Sequence, residues 1–276
     1  MILLSVCSAC AFGVADFLGG KATRGAHVLR VVGISAPASL AVELAVLPFL
    51  GAQWTAAAVG FGALSGVASA FCFALLYLAL SMGPMSVMAP ITAIVSALLP
   101  VLVGVIRGEH LTFTAALGIP VAVAAIALVT IRRRTGGHVV SPRAVLVAVG
   151  AGVAIAAQLI LLNAAPHDSG VAPLVAGRAV SSVVVLGVAF AVRRRIGRGE
   201  VPVVTAAAAG CIDSAANLLF LLASREGLLS VSAVIVALYP AATVLLAAVV
   251  LKERVGRAQW LGLAAAAAGV ALLAAA

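Results

Sequence analysis

The sequence predicts an all-α polytopic membrane protein, with ten transmembrane helices arranged as two inverted five-helix repeats. Three observations predict it. First, the 276 residues are 64% hydrophobic and 9% charged, with a mean hydropathy of +1.28, whereas soluble domains are about 45–50% apolar and about 25% charged. Second, the apolar residues come in unbroken runs of about 20. Such runs suit helices, which satisfy their own backbone in lipid, and not the ~10-residue alternating segments of a β-barrel. Third, a polar punctuation mark occurs twice: VIRGEHLTFTAALG at 105–118 and VVLKERVGRAQWLG at 249–262. Each holds one glutamate, Glu109 or Glu253, followed nine residues later by Gly118 or Gly262.

Cutting at charges, Pro and Gly gives ten spans: approximately 2–20, 31–50, 56–80, 85–106, 115–131, 144–163, 171–192, 203–223, 229–251 and 258–275. At about 1.5 Å per residue each crosses ~30 Å of hydrocarbon. The first run, MILLSVCSACAFG, lacks a basic leader and ends in Asp16 and Lys21, so it reads as a span and not a cleaved signal peptide. Span 10 is alanine-rich (LAAAAAGVALLAAA), which suits close packing on a partner helix. Cys7, Cys10, Cys72 and Cys211 all fall inside apolar runs and read as small buried hydrophobes rather than a metal or redox site.

The one composition break, RRRTGGHVVSPR at 132–143, divides the chain into a first repeat, 1–131, and a second, 144–276. A fixed shift of 144 brings Gly83, Ser86, Val87, Glu109 and Gly118 onto Gly227, Ser230, Val231, Glu253 and Gly262. With five spans per half, the second half inserts upside down relative to the first. That inverted arrangement is how secondary transporters build a scaffold that can open to either side.

Net charge is +9. The bases sit between apolar runs, so they read as topogenic flanks near anionic headgroups, and no nucleic-acid partner is expected. The odd-numbered connections carry 14 of the Lys and Arg residues and the even ones carry Arg107 and Arg225. This bias puts the odd connections in the cytoplasm and both termini outside.

Two end pieces, GPMSVMAPITAIVSALLPVLVGVIRGEHLTFTAALGIPVAVAAIAL (83–128) and GLLSVSAVIVALYPAATVLLAAVVLKERVGRAQWLGLAAAAAGVALL (227–273), together with FGVADFLGGKATRG (12–25), carry a resemblance. The chain resembles the EamA-type permeases of the drug/metabolite transporter superfamily over effectively its whole length. The resemblance implies secondary active transport of small metabolites, amino acids or drug-like solutes, frequently efflux, driven by protons or a counter-solute. It further implies a multi-pass protein of the plasma membrane, a bacterial inner membrane, acting as monomer or homodimer. The pattern departs at Ser96, which stands where the second half has Pro240, and at His110, where a base follows Glu253. The family habit of cytoplasmic termini also conflicts with the charge bias.

Ionisable groups inside a span cost at least ~2.5–3.5 kcal/mol on insertion scales, so they face an interior or a wet cavity. Asp16, Glu43, Arg178 and Asp213 are such groups. Arg178 and Asp213 fall near the midplane of adjacent spans and are expected to pair, as a structural ion pair or as a site for substrate or proton. Asp213 and Asn217, at i and i+4, share a face. They can hold an ammonium or a proton, or make a helix–helix hydrogen bond. Glu43 is a proton-coupling candidate, with a pair to Arg178 as the alternative. Asp16 lies near Lys21, where interfacial solvation is the alternative to a site role. Gln158, Tyr77 and Tyr239 complete the candidate pocket. Polar stripes at Ser65, Ser69, Phe73 and Tyr77, at Met88, Thr92, Ser96 and Pro100, and at Ser232, Tyr239 and Thr243 outline a cavity of spans 1, 3, 4, 6, 8 and 9. Glu109 and Glu253 are read as structural corners, with Glu253 at the dipole of the helix that follows it. His27, His110, His138 and His167 lack metal-ligand spacing. No cofactor, no metal and no enzymatic chemistry is expected. The alternative to a transporter is a non-transporting membrane protein, such as a lipid-handling intramembrane enzyme or an assembly partner.

Overall fold

The computed structural model describes residues 1–23, 26–82, 85–130, 141–192, 200–250 and 256–275. Side chains within these are described except at 73, 77, 80, 81, 85–90, 129, 130, 247 and 248. Outside them lie Glu253 with its basic neighbours, the Arg193–Arg195 cluster and most of the basic linker. The elements are α1 (Ile2–Thr23), α2 (Val28–Leu50), α3 (Ala56–Met82), α4 (Met85–Ile106), α5 (Phe113–Thr130), α6 (Pro142–Asn163), a 3₁₀ turn at His167–Ser169, α7 (Ala172–Ala191), α8 (Val203–Arg225), α9 (Leu229–Val236), α10 (Tyr239–Val250) and α11 (Arg257–Ala274). Among the described residues there is no strand, only an isolated bridge between Ala52 and Gly170. Among the described residues, eight helices are long and apolar enough to cross a membrane, α9 and α10 counting as one over Leu229–Leu246, and Ile91–Ile106 and Phe113–Leu128 are shorter apolar helices.

Local chemistry sets the ends. His27 caps α2, its Nδ1 accepting from Leu29 N–H at 3.3 Å. Ser141 caps α6 by accepting from Ala144 N–H at 3.2 Å, with Pro142 pre-set for the first turn. At α11 Gln259 reaches back to accept from Gly256 N–H at 2.9 Å. The expected span 9 is two helices. Pro240 has no N–H to bond the Val236 carbonyl, and the chain tightens there through Leu238 N–H to Ile235 O (3.1 Å) and Ala241 N–H to Leu238 O (2.9 Å). At the corresponding position of the first half stands Ser96, and α4 runs through.

The interior is built from small residues and the outside from large ones. Alanine dominates the buried set, while Leu3, Phe49, Ile106, Phe113 and Val204 are exposed. That is the distribution of a bundle whose surround is lipid, where close approach of backbones replaces hydrophobic collapse. Cys72 is buried as expected, whereas Cys7 and Cys10 are exposed. Three residues apart on α1, they share its outer face, so apolar sequence context there meant lipid and not core. Span 10, now α11, packs on α5, where Gly269 approaches Ala122 and Gly118 approaches Leu273. The α3–α7 crossing is closer still: a Cβ on Gly66 would strike the Gly177 carbonyl. Gly66→Ala is therefore expected to cost about 1–3 kcal/mol by overpacking. Gly60→Ala, with open space around it, should be neutral or gain about 0.5–1 kcal/mol in helix propensity. Thermal unfolding of the two variants in detergent checks the contrast in sign.

The even-numbered connections gather at one end of the bundle. Val171 N–H donates to Gly51 O (3.0 Å) and Gln53 N–H to Ser169 O (3.1 Å), joining the α2–α3 and α6–α7 connections. Arg225, ending α8, donates to Pro166 O (3.2 Å) and Ser169 Oγ (3.1 Å). The α4–α5 corner reaches the start of α9 through Glu109. This end is called the even end below, and the opposite one the odd end.

Candidate functional site

Arg178 is at the centre of the polar interior. It lies on the inner face of α7 and is 5% exposed. Its Nε donates to Glu43 Oε1 on α2 at 3.3 Å, and its Nη2 is hydrogen-bonded to Asp213 Oδ2 on α8. The guanidinium fork is suited to holding two carboxylates in fixed directions, which a lysine cannot do. Ser214, next to Asp213 in sequence, donates its hydroxyl to the same Glu43 oxygen at 3.1 Å. Glu43 Oε2 is buried without a hydrogen-bond partner among the described residues.

The network extends through carboxamides. Asn217 Nδ2 donates to Asp213 O at 2.9 Å and to Asp213 Oδ2 at 3.4 Å. Gln158 Nε2 on α6 donates to Asn217 Oδ1 at 2.9 Å, and Ser65 Oγ on α3 donates to Gln158 O at 3.1 Å. One chain of polar contacts thus ties α2, α3, α6, α7 and α8 together. Few buried polar chains in lipid survive unless each member is answered, so this one fixes the relative placement of helices from both halves of the chain.

Two clefts approach Arg178 from opposite ends. The even-end cleft, about 230 Å³ including its open mouth, lies between α3, α6, α7 and α8 and is lined by Ser65, Ser69, Gln158, Gly177 and Asn217. The odd-end cleft, about 530 Å³ including its mouth, lies between α1, α2, α7 and α8 and is lined by Asp16, Ser35, Ser39, Gly210 and Asp213. Arg178 and Ser181 line both. The Arg178 cluster therefore forms the partition between them.

The candidates named from sequence separate accordingly. The expected Arg178–Asp213 pair is present, and Glu43 takes the alternative set out for it, a pair with Arg178. Asp213, Asn217 and Gln158 fall in the same network. Asp16 makes no ion pair with Lys21 and opens onto the odd-end cleft. Tyr239 lines neither described cleft. It starts α10 and packs where α1 is closest, its carbonyl beside Gly13. Tyr77 is on α3, with its side chain outside the described residues. The two described clefts are walled in part by α2 and α7, which were not among the expected spans 1, 3, 4, 6, 8 and 9. Thr92 of α4 faces α6 instead, its Oγ1 donating to Ala148 O at 3.2 Å. Ser214, Ser35, Ser39 and Ser181 were not singled out beforehand. Ser35, Ser39 and Glu43 recur every fourth residue on α2, a signal that was present in the sequence.

Glu109 has an assignment of its own. α4 ends with Glu109 N–H bonded to Gly104 O (2.9 Å) and Gly108 N–H to Val105 O (3.0 Å), with Gly108 at φ +90°. This closing turn needs glycine at Gly108 and folds the Glu109 carboxylate back under α4. The start of α9 has no side-chain cap of its own. Glu109 supplies one: Oε1 accepts from Leu229 N–H (2.8 Å), and Oε2 from Ser230 N–H (3.1 Å) and Ser230 Oγ (2.5 Å). The carboxylate caps not the helix that follows it but one 120 residues away in the other half of the chain.

The sequence comparisons fit this architecture. Residues 142–275 match the EamA-like transporter family. A comparison with curated proteins gives no match. One solved structure, described only as the crystal structure of a protein, superposes with a TM-score of 0.76 over 98% of this chain and 94% of its own, at 18% identity. At that identity the likeness establishes the fold alone. The likeness to the EamA-like transporter family thus covers residues 142–275, just under half of the chain, and the chain is a multi-pass membrane protein.

Proposed function

We propose that the chain is a secondary active transporter that moves small metabolites, amino acids or drug-like solutes by alternating access. The observation that carries this is the pair of clefts meeting at Arg178 from opposite ends. A solute entering either cleft reaches the same buried Arg178, which is the geometry a two-sided site requires.

The two halves, 1–131 and 144–276 joined by the basic linker 132–143, act as inverted five-helix repeats. Helix starts support the register of 144 positions: Val28 and Ala172 begin α2 and α7, Met85 and Leu229 begin α4 and α9, and Phe113 and Arg257 begin α5 and α11. The Lys and Arg bias orients the odd end to the cytoplasm of a plasma membrane. Asp16, Glu43, Arg178 and Asp213, with Asn217 and Gln158, form the binding and coupling site, and protons or a counter-solute drive the cycle in the efflux direction.

Reconstitution in proteoliposomes with a panel of amino acids, amines, nucleosides and organic acids tests the reading. Counterflow of at least one solute class is expected, and Asp213→Asn and Glu43→Gln should each slow it by about tenfold or more, as for loss of a charge-assisted contact. Absence of counterflow across the panel would sink the proposal, and unchanged flux in both variants would remove the charge roles.

A further inference from the structure

The odd-end cleft contains a carboxylate that the polar core does not use. Asp16 is exposed to the cleft and makes no hydrogen bond or ion pair among the described residues. The Nε and Nη2 of Arg178 are held instead by Glu43 and Asp213. Counted as ionised, the cluster sets three carboxylates against one guanidinium. An anionic solute would meet a cation already matched twice over, whereas a cationic one would meet an open carboxylate.

A second observation marks the same wall. Ser39 lines the cleft, is 1% exposed, and its hydroxyl has no partner among the described residues. A buried hydroxyl left unanswered costs free energy that a ligand can recover. An ammonium N–H can supply that partner, while the carboxylate of Asp16 accepts another. Ala15, Val32, Ala36 and Val185 give the same cleft an apolar stretch, which suits a hydrocarbon body beside the charge.

We propose that the odd-end cleft binds an amphipathic amine, a protonated primary or secondary amine carrying an apolar body, with Asp16 pairing the ammonium and Ser39 Oγ accepting one of its N–H groups. The proposal rests on the transporter reading and adds the class of solute to it. Asp16 is a binding residue here, not part of the Arg178 partition.

The test uses the full chain purified in detergent and three probes of one skeleton: 2-phenylethylamine, 2-phenylethanol and phenylacetate, which present an ammonium, a hydroxyl and a carboxylate on the same ring. Titration calorimetry should find the amine bound about tenfold more tightly than the other two. Asp16→Asn should weaken it by about tenfold, while the distant Asp168→Asn leaves it within about threefold. Should Asp16→Asn fail to elute as a folded species, Ser39→Ala decides, with an expected loss of about threefold or more for the amine alone. Phenylacetate binding as well as the amine would overturn the assignment while leaving a solute-binding transporter. Failure of all three probes to bind would also overturn it, and the counterflow panel would then judge the transporter reading by itself.

Discussion

Replacing Arg178 with alanine is expected to cost the folded protein about 3–5 kcal/mol, the cost of removing one partner from a buried ionic cluster. The arrangement puts Arg178 at the upper part of that range. Its side chain and that of Glu43 are 6% and 4% exposed, and its loss leaves two carboxylates facing each other in an apolar surround. Glu43 Oε2 is already unanswered among the described residues, so Ser214 alone cannot hold the group in place. Arg178→Lys keeps the charge but cannot reach Glu43 and Asp213 together, and should fall between wild type and alanine. The combined variant Glu43→Gln, Arg178→Gln, Asp213→Asn removes every charge while keeping hydrogen-bonding groups. It should recover most of the stability lost in Arg178→Ala, because the penalty comes from uncompensated charge. Its transport should remain absent, which separates the structural part of the cluster's role from the functional part. Unfolding of the reconstituted or micellar protein measures the first quantity, and counterflow the second.

Glu109→Ala is the second large effect, expected at about 2–3 kcal/mol, the scale of an N-cap removed together with charge-assisted hydrogen bonds. Three donors on Leu229 and Ser230 lose their acceptor at once, at a helix end that has no cap of its own. Glu109→Gln keeps one oxygen acceptor and should lose roughly half as much. Gly104→Ala should mimic Glu109→Ala without touching the carboxylate, since a Cβ there would occupy the place of the Glu109 carboxylate and Ser230 Oγ. Equal stability of Gly104→Ala and wild type in thermal unfolding would contradict this account of the corner.

Glu109 also illustrates what the sequence contains and what it withholds. The recurrence of Glu and Gly at a shift of 144 drew attention to Glu109, which in the structure caps α9. Its partner was not legible. A carboxylate near two helix starts can cap either, and only the turn made by Gly108 sends it to α9. For Glu43, whose cation lies 135 residues away, the sequence offered Arg178 as a partner but could not choose that pair over a free, proton-coupling carboxylate. The Arg178–Asp213 pair was legible because the two residues fall at matching depth on adjacent spans. Thr92 on α4 misled because periodicity defines a face and not the neighbour that covers it, and in lipid an inward and an outward face can be equally apolar, as Cys7 and Cys10 also demonstrate. The break at Pro240 needed only the missing N–H, yet Pro100 sits inside an unbroken α4, so a proline alone does not determine where a helix splits.

The central claim is that one buried site is reached from both ends of the bundle. It is tested most directly by labelling the full chain, with its four native cysteines replaced, using a membrane-impermeant maleimide applied to one side of the membrane at a time. Ser35→Cys lies in the odd-end cleft and Ser65→Cys in the even-end cleft. The account predicts that the two are labelled from opposite sides, and that a transported solute slows both. Labelling of both from one side only, as in a single-mouthed vestibule, would contradict it.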